Sequence, residues 1–281
     1  LIALGELPIA LFQSLWILVT FRPKLVLGVG GYVTGPFILM AWILRIRTAI
    51  QEQNAMPGIT NRILGKIVDK IFISFEESKK YFPERKVEVT GNPIKEEYYA
   101  NKSESKDPRF NVLVFGGSKG ARSINFAMVE ALDHLSEDKD SLHFIHQTGQ
   151  EQFESVKTKY DSKKISAEVS PFIFNMANAF QKSNLVICRA GASTIAELAA
   201  CGRAAILVPF PFAANNHQQL NAELLVEQGG AIIVMDSELS GNKLAGLIKE
   251  LMRQPDRLNE MGKASARMAK KDAGKKIVDH C

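Results

Sequence analysis

The sequence has 281 residues, of which 46% are hydrophobic and 23% charged, with a mean hydropathy of -0.04. These values exclude a disordered chain, a collagen-like repeat and a polytopic membrane protein, and the length suggests two domains of roughly 150 residues, with one large α/β domain as the alternative. The net charge of +5 is concentrated in residues 1–50, where four basic residues accompany Glu6 alone, and such an apolar, basic stretch favours an anionic membrane surface over nucleic acid as a partner.

The first element in chain order is an apolar stretch from Leu1 to Thr20. Its length approaches the roughly 20 residues that cross a bilayer. However, Glu6 and Pro8 interrupt it, and a strand-like KLVLGVGG follows, so we predict a buried or interfacial helix instead of a membrane span. Residues 37–44 (FILMAWIL), with two arginines close behind them, repeat the pattern of an apolar helix with a basic flank. The two segments together indicate a surface that docks on lipid.

The rest of the chain alternates between strands and helices, which predicts parallel sheets covered on both faces. We place an interdomain linker inside residues 92–108, because this polar segment lacks periodicity. The predicted domains are residues 1–95 and residues 96–281, and beyond Leu244 we expect a solvated basic helix. The predicted strands are Lys24–Val29, Thr48–Glu52, Ile71–Ser74, Lys86–Thr90, Asn111–Phe115, Leu142–Gln147, Glu168–Ser170, Leu185–Cys188, Ala204–Val208 and Ala231–Met235.

Two glycine-rich turns follow predicted strands, where open α/β sheets bind ligands. GVGGYVTGP (28–36) departs from the GxGxxG spacing of dinucleotide sites. Glu52, at the end of the next strand, is the one other feature that resembles a dinucleotide site. The GVGGYVTGP segment is therefore about equally consistent with a tight turn that binds no ligand and with a binding loop. GGSKGARSIN (116–125) lies between a strand and a helix, so its backbone N–H groups and the Ser118 hydroxyl favour a phosphate. Lys119 is expected to face solvent.

The stretch CRAGASTIAELAACGRAAILVPFP (188–211) joins a strand to a helix. The N-terminus of that helix suits a diphosphate, because it carries about half a positive charge and free N–H donors. Two roles remain open for Glu197. With Thr194 it has the T-x-x-E spacing of a capping box, which is purely structural, and its carboxylate is equally suited to accept two vicinal hydroxyls of a ribose.

Carboxamide side chains cluster after another strand, in NNHQQLNAELL (215–225). Amides commonly bind sugar hydroxyls, since each offers a donor and an acceptor, and capping of a helix N-terminus is the structural alternative. QEQNAMPGITN (51–61) concentrates amides at a further strand end.

The sequence shows no Ser/His/Asp triad, no paired-carboxylate signature and no zinc-ligand spacing. His143 and His146 lie in the strand-like LHFIHQ, which places them on opposite faces, so a metal site is not expected there. The three cysteines include no CxxC pair, and their odd number predicts reduced thiols in a cytoplasmic setting.

Six motifs in order resemble the MurG family of glycosyltransferases: GVGGYVTGP, EQNAMPGITN, VTGNPIKEE, GGSKGARSIN, HQTGQ and RAGASTIAELAACGRAAILVPFPFAANNHQQLNA. The resemblance covers nearly the whole chain and implies the α/β GT-B fold, with two Rossmann-like domains. It also implies peptidoglycan synthesis, in which N-acetylglucosamine moves with inversion from UDP-N-acetylglucosamine to the 4-hydroxyl of an undecaprenyl-linked muramyl-pentapeptide. The family needs no cofactor or bound metal for this reaction, and it associates peripherally with the cytoplasmic face of the cell membrane.

The resemblance also implies a set of binding residues. Residues 1–95 would form the acceptor and membrane side, and residues 96–281 would bind the UDP-sugar donor. The implied substrate-binding residues are Ser118, Ile173 beside the uracil, the run Ala192, Ser193, Thr194, Ile195, Ala196 and Glu197, and Gln219, completed by Asn54 and Lys95.

Three departures from the family pattern bear on activity. Gln51 stands where the family usually has His, and Lys95 stands where it often has Arg, which would add a bidentate fork. The first strand and its GGTGGH loop, with the family's favoured general base, do not occur in this sequence. We therefore name no catalytic base, treat the first domain as incomplete, and expect the chain to bind donor but to transfer little sugar. The alternatives are another lipid-acceptor GT-B enzyme, such as a diacylglycerol glucosyltransferase, and an inert nucleotide-sugar-binding fragment.

Overall fold

The computed structural model describes residues 2–99 and 107–281, with side chains described from Leu7 onward. The chain forms two compact units, one made of Leu1–Pro93 with Asp272–Cys281 and the other of Ile94–Lys271. Residues 100–106 of the predicted linker lie outside the described residues. The preceding Glu96–Tyr99 forms a 3-10 turn that belongs to the second unit.

The first unit contains a four-stranded parallel sheet in the order β1-β2-β3-β4. One hydrophobic core of this unit includes Leu18, Ile38 and Ile71, which are almost completely buried. The elements up to β4 are α1 (Ile2–Phe21), β1 (Leu25–Gly28), α2 (Thr34–Ile43), β2 (Arg47–Glu52), α3 (Ile59–Leu64), β3 (Lys70–Ile73) and β4 (Val87–Val89).

Helix α1 is apolar but only partly buried. Leu18 and Ser14 face the interior of the unit, whereas Phe12 and Trp16 are 72% and 66% exposed. Among the described residues, no helix combines the length and the apolar character needed to cross a membrane.

The second unit contains a six-stranded parallel sheet in the order β10-β9-β8-β5-β6-β7. Its central strands are continuous apolar runs such as Val112–Val114, completely buried, as expected of strands covered by helices on both faces. The elements are β5 (Phe110–Phe115), α4 (Arg122–His134), β6 (Leu142–Gln147), α5 (Phe153–Lys163), β7 (Ser166–Ser170), α6 (Met176–Lys182), β8 (Leu185–Cys188), α7 (Ala192–Cys201), β9 (Ala204–Leu207), α8 (His217–Glu227), β10 (Ala231–Ile233), α9 (Gly241–Met252) and α10 (Pro255–Arg267).

The predicted α/β fold with parallel sheets is confirmed, and each predicted strand is present with bounds shifted by up to two residues. The end of the chain differs from the prediction of one basic helix in the second domain. Pro255 starts a new helix after α9, and a final helix, α11 (Ala273–Asp279), belongs to the first unit. The reason is apolar packing, because Ile277 is buried against Ala49 and Phe72 of the first sheet. The predicted boundary after residue 95 also moves, and Lys95 belongs to the second unit.

Candidate functional site

The carboxyl ends of the strands in the second sheet meet at one edge, because all these strands run parallel. The register pairs Phe115 at the end of β5 with Gln147 of β6 on one side and Cys188 of β8 on the other. The loops that leave these ends are therefore neighbours. They carry most of the predicted binding positions: Ser118 after β5, Ile173 after β7, Ala192–Glu197 after β8 and Gln219 after β9.

The loop after β5 is a tight turn that exposes Ser118. The Gly117 carbonyl oxygen accepts a hydrogen bond from Gly120 N at 3.0 Å, and both glycines have positive φ, +100° and +79°. A Cβ on Gly120 would lie 2.0 Å from the Thr148 carbonyl oxygen, so only glycine permits this approach of two loops. The turn presents the Ser118 hydroxyl and neighbouring N–H groups ahead of helix α4, which is a suitable arrangement for an anion.

Helix α7 begins at Ala192, and its N-cap residue makes no side-chain capping hydrogen bond. Gly191 is the N-cap, and the first helical hydrogen bond runs from Ile195 N to the Gly191 carbonyl. Thr194 consequently lies inside the first turn, so the T-x-x-E capping box considered for Thr194 and Glu197 is not formed. The partial positive charge of this helix end faces the loop edge of the sheet.

Glu197 lies one turn further along α7, in a largely buried position. Its carboxyl group is hydrogen-bonded to the Tyr98 hydroxyl, and Lys95 adds a positive charge nearby. Burial raises the pKa of Glu197 to about 7, although the Tyr98 hydrogen bond and Lys95 oppose this shift. Lys95 itself is mostly exposed and lies 3.4 Å from Glu97. Glu197 therefore exchanges a proton near neutral pH.

Tyr98 was not foreseen from the sequence as a neighbour of Glu197. Its ring is buried and packs edge-on against Phe180 at 5.8 Å, while its backbone oxygen accepts from Cys201 Sγ at 3.2 Å. Cys201 lies four residues after Glu197, so both residues present the same face of α7 to Tyr98. No sequence pattern links the 3-10 turn to this helix.

Gln147 also received no role from the sequence, beyond its place in the HQTGQ motif. It is buried at the end of β6, and its side-chain amide bonds to both Gly117 and Ile173. A buried amide at the end of a strand was the only available signal. Ile173 itself is half-buried between two exposed rings, Phe172 and Phe174, which pack edge to face at 5.1 Å.

Within the amide cluster of residues 215–221, some side chains support the surrounding loops and others can contact a ligand. Gln218 Oε1 accepts from Phe210 N at 3.0 Å, and Asn221 Nδ2 donates to the Ala190 carbonyl at 3.2 Å, so both support the loops. Asn216 is the N-cap of α8 but makes no side-chain capping bond. Gln219 bonds to Glu223 at 2.9 Å and remains half-buried, which leaves part of its amide for a ligand.

A cavity of about 620 Å³ adjoins the loop after β5 and is large enough for a sugar-sized group. Its lining includes Phe126, Phe210, Gln218 and Arg189. Arg189 has a rigid position, since it forms an ion pair with Asp236 at 2.6 Å and donates to the carbonyls of residues 208 and 209 at 3.1 Å each.

Asn54 belongs to the first unit and is part of a separate polar network. Its backbone N and its Nδ2 both donate to Glu52 Oε1, at 2.9 and 3.3 Å. Glu52 is buried and also accepts from Gly58 N and Asn61 Nδ2. Gln51, also buried, donates to Asn92 Oδ1 at 3.3 Å. This network shapes the loop after β2.

The two histidines of β6 have separate environments. Buried His146 lies between the Tyr160 hydroxyl and Asn125 Oδ1, and burial lowers its pKa to about 3. His143 contacts Ser166 instead. In residues 2–99 and 107–281, no group of three or more His, Cys, Asp or Glu side chains is placed to hold a metal ion. That the chemistry needs no metal stays a prediction.

Comparison with protein families matches both parts of the chain. Residues 3–73 match the glycosyltransferase family 28 N-terminal domain, and residues 111–277 match the glycosyltransferase family 28 C-terminal domain. A relative from Myxococcus xanthus is 50% identical over 281 residues, which is 99% of this chain and 73% of the relative. A relative from Geobacter sulfurreducens is 47% identical over 95% of this chain and 75% of the relative. Both are named UDP-N-acetylglucosamine--N-acetylmuramyl-(pentapeptide) pyrophosphoryl-undecaprenol N-acetylglucosamine transferase.

Solved structures show the same architecture. The crystal structure of MurG from Acinetobacter baumannii has a TM-score of 0.82 and 34% identity, covering 98% of this chain and 79% of that one. A UDP-GlcNAc 2-epimerase from Neisseria meningitidis bound to UDP-GlcNAc has a TM-score of 0.73 at 15% identity, with 96% and 79% coverage. This second similarity shows the fold alone.

Proposed function

The chain belongs to glycosyltransferase family 28, and we propose that it transfers N-acetylglucosamine from UDP-N-acetylglucosamine to undecaprenyl-pyrophosphoryl-N-acetylmuramyl-pentapeptide, in peptidoglycan synthesis. The main support for this proposal is the activity for which the relatives of the chain are named. Eight curated relatives, 44–50% identical over 95–100% of this chain, are named for this transfer. The chain spans about three quarters of their length, from 72% to 78%.

We place the donor on the carboxyl edge of the second sheet. The uracil lies beside Ile173, the ribose hydroxyls bond to the Glu197 carboxylate, and the diphosphate meets the Ser118 loop and the N-terminus of α7. This order is supported by the chemistry of each group, since the loop and the helix end supply N–H donors, and an ionised carboxylate accepts from two vicinal hydroxyls. Gln219 and the adjoining cavity are available to the N-acetylglucosamine.

The proposed reaction is an inverting displacement. The muramyl 4-hydroxyl attacks the anomeric carbon from the side opposite UDP, the bond to the diphosphate oxygen breaks, and negative charge builds on the leaving diphosphate. Fixed N–H dipoles of the Ser118 loop and of the N-terminus of α7 stabilise that charge without reorganisation. We propose that these groups act in place of a divalent metal. No general base is assigned among the described residues.

The lipid-linked acceptor requires access to a membrane, and we propose that the first unit provides it at the cytoplasmic face. Phe12, Trp16 and Phe21 of α1 are 66–79% exposed, and Arg22 and Lys24 follow directly. Exposed aromatic residues beside basic side chains suit peripheral binding to an anionic bilayer.

A donor-competition experiment tests the proposal most directly. Calorimetry on the 281-residue chain, with UDP-N-acetylglucosamine, UDP-glucose and UDP-galactose, should show preference for the first, and label from this sugar should be followed into a synthetic undecaprenyl-linked muramyl-pentapeptide. Equal affinity for the three donors, or preference for a hexose without the acetamido group, would contradict the proposed substrate.

A further inference from the structure

A single buried side chain connects the two loops that, in the proposed function, bind opposite ends of UDP. Gln147 is the last residue of β6, where its neighbours in the sheet are Phe115 and Ser170. Only 2% of its surface is exposed. Its Nε2 donates to the Gly117 carbonyl at 2.8 Å, and its Oε1 accepts from Ile173 N at 2.7 Å. Both ends of the amide are therefore used, one on each loop.

The backbone also joins the same loops, through residues 148 and 149, which directly follow β6. Thr148 N donates to the Ser170 carbonyl at 3.0 Å, Gly149 N donates to the Pro171 carbonyl at 3.1 Å, and the backbones of Gly120 and Thr148 are in close contact. These contacts hold residues 148–149 against the two flanking loops. Gln147 instead bonds directly to Gly117 and Ile173, which lie next to the positions proposed for the diphosphate and the uracil.

The bond to Gly117 also fixes the local turn. The Gly117 carbonyl accepts a hydrogen bond from Gly120 N, so Ser118 and Lys119 occupy the two central positions of a β-turn. The same carbonyl also accepts from Gln147 Nε2, which ties the first residue of the turn to β6. Loss of the amide donor would leave the bond from Gly120 N, so the turn would persist but its first residue would no longer be tied to β6.

We propose that Gln147 is a positioning residue that sets the separation between the Ser118 loop and the Ile173 loop, and thereby lets base and diphosphate of one nucleotide bind together. The inference rests on the proposed function, in which these loops bind diphosphate and uracil. Two linked groups bind more tightly than either alone only when their sites stand at the distance the linker spans. Gln147 maintains that distance and touches neither group.

The test compares whole and divided ligands on the full chain. Gln147→Met keeps the length of the side chain and removes both hydrogen bonds. We expect Gln147→Met to weaken UDP binding by about 10- to 100-fold, because two coupled bonds are lost. Uridine and pyrophosphate, measured separately, should each change by less than about threefold, because each uses one loop.

A matched control is Gln51→Met, since Gln51 is also 2% exposed and lies near the end of a parallel strand, β2, in the first unit. It should lose a comparable amount of thermal stability and keep its UDP affinity. The proposal is overturned if Gln147→Met binds UDP like the unmodified chain, or if uridine and pyrophosphate weaken as much as UDP, which would indicate collapsed loops. Absence of UDP binding by the unmodified chain would instead contradict the proposed function.

Discussion

Replacement of Glu197 by glutamine should stabilise the folded protein and, at the same time, weaken its binding of the UDP-sugar donor. The substitution keeps the shape of the side chain and an oxygen that accepts from Tyr98, and it removes the charge. In the folded chain, burial raises the pKa of this carboxyl group from 4.5 to about 7. Ionised Glu197 is accordingly less favourable in the folded protein than in the unfolded chain, by about 3 kcal/mol.

The sign of the pH dependence follows from the raised pKa. Between pH 4.5 and 7 the folded protein holds a proton that the unfolded chain has released, so the stability of the unmodified chain falls as the pH rises through this interval. Glu197→Gln does not undergo this loss. We expect the variant to match the unmodified chain near pH 4.5 and to exceed its free energy of unfolding by up to about 3 kcal/mol at pH 8, as measured by urea denaturation.

UDP affinity should change in the opposite sense. At pH 8, Glu197→Gln replaces charge-assisted hydrogen bonds to the ribose with neutral ones, which should weaken UDP binding by about 1.5 kcal/mol, or roughly tenfold in Kd. Glu197→Ala should weaken UDP binding by about 1.5 to 3 kcal/mol. In the unmodified chain, affinity should fall as the pH drops below 7, because protonation removes the charge of the Glu197 carboxylate and turns one of its two acceptor oxygens into a donor. The terminal phosphate of UDP also titrates, at about pH 6, and Glu197→Gln isolates that contribution. If Glu197→Gln is more stable than the unmodified chain at pH 8 but binds UDP with the same affinity, Glu197 does not bind the ribose. If the two proteins are equally stable at pH 8, Glu197 does not carry a destabilising buried charge.

Three further results are expected. Gly120→Ala should destabilise the protein by about 3 kcal/mol in thermal or urea unfolding, because its Cβ would meet the Thr148 carbonyl, whereas Gly117→Ala, with open space around it, should cost about 1 kcal/mol; equal costs would contradict the described loop. UDP affinity measured by calorimetry should be the same with EDTA and with Mg²⁺, and a large gain with Mg²⁺ would show that the loop and helix are insufficient. Phe12→Ser with Trp16→Ser should reduce sedimentation with anionic vesicles, and raised salt should weaken that binding only partly; unchanged sedimentation would exclude α1 as the contact surface.

The strands could be predicted because their sequences are short apolar runs that end in glycine or polar residues. Runs such as LVIC of β8 permit few structures other than a buried parallel strand, and the order of strands and helices then places every loop at the same edge. The positions of Ser118 and Ala192–Glu197 in such loops were predictable for this reason.

The contacts between loops were not predictable from local patterns. Gln147 contacts residues 30 positions before it and 26 after it, and Tyr98 reaches Glu197 from a segment with no recognisable periodicity. Thr194 and Glu197 have the spacing of a capping box, but the helix begins two residues before Thr194, a boundary that sequence patterns locate poorly. Tertiary structure decided each of these outcomes.

The return of the last residues to the first unit affects the order in which the protein can fold. During synthesis β2 and β3 leave the ribosome long before Ile277, which packs against Ala49 and Phe72. The apolar surface around Ala49 and Phe72 therefore remains exposed to solvent until the whole second unit has been synthesised. The second unit, by contrast, is continuous in sequence and has its own hydrophobic core. The second unit can thus complete its fold first, and the nascent first unit is the species most exposed to aggregation or chaperone binding.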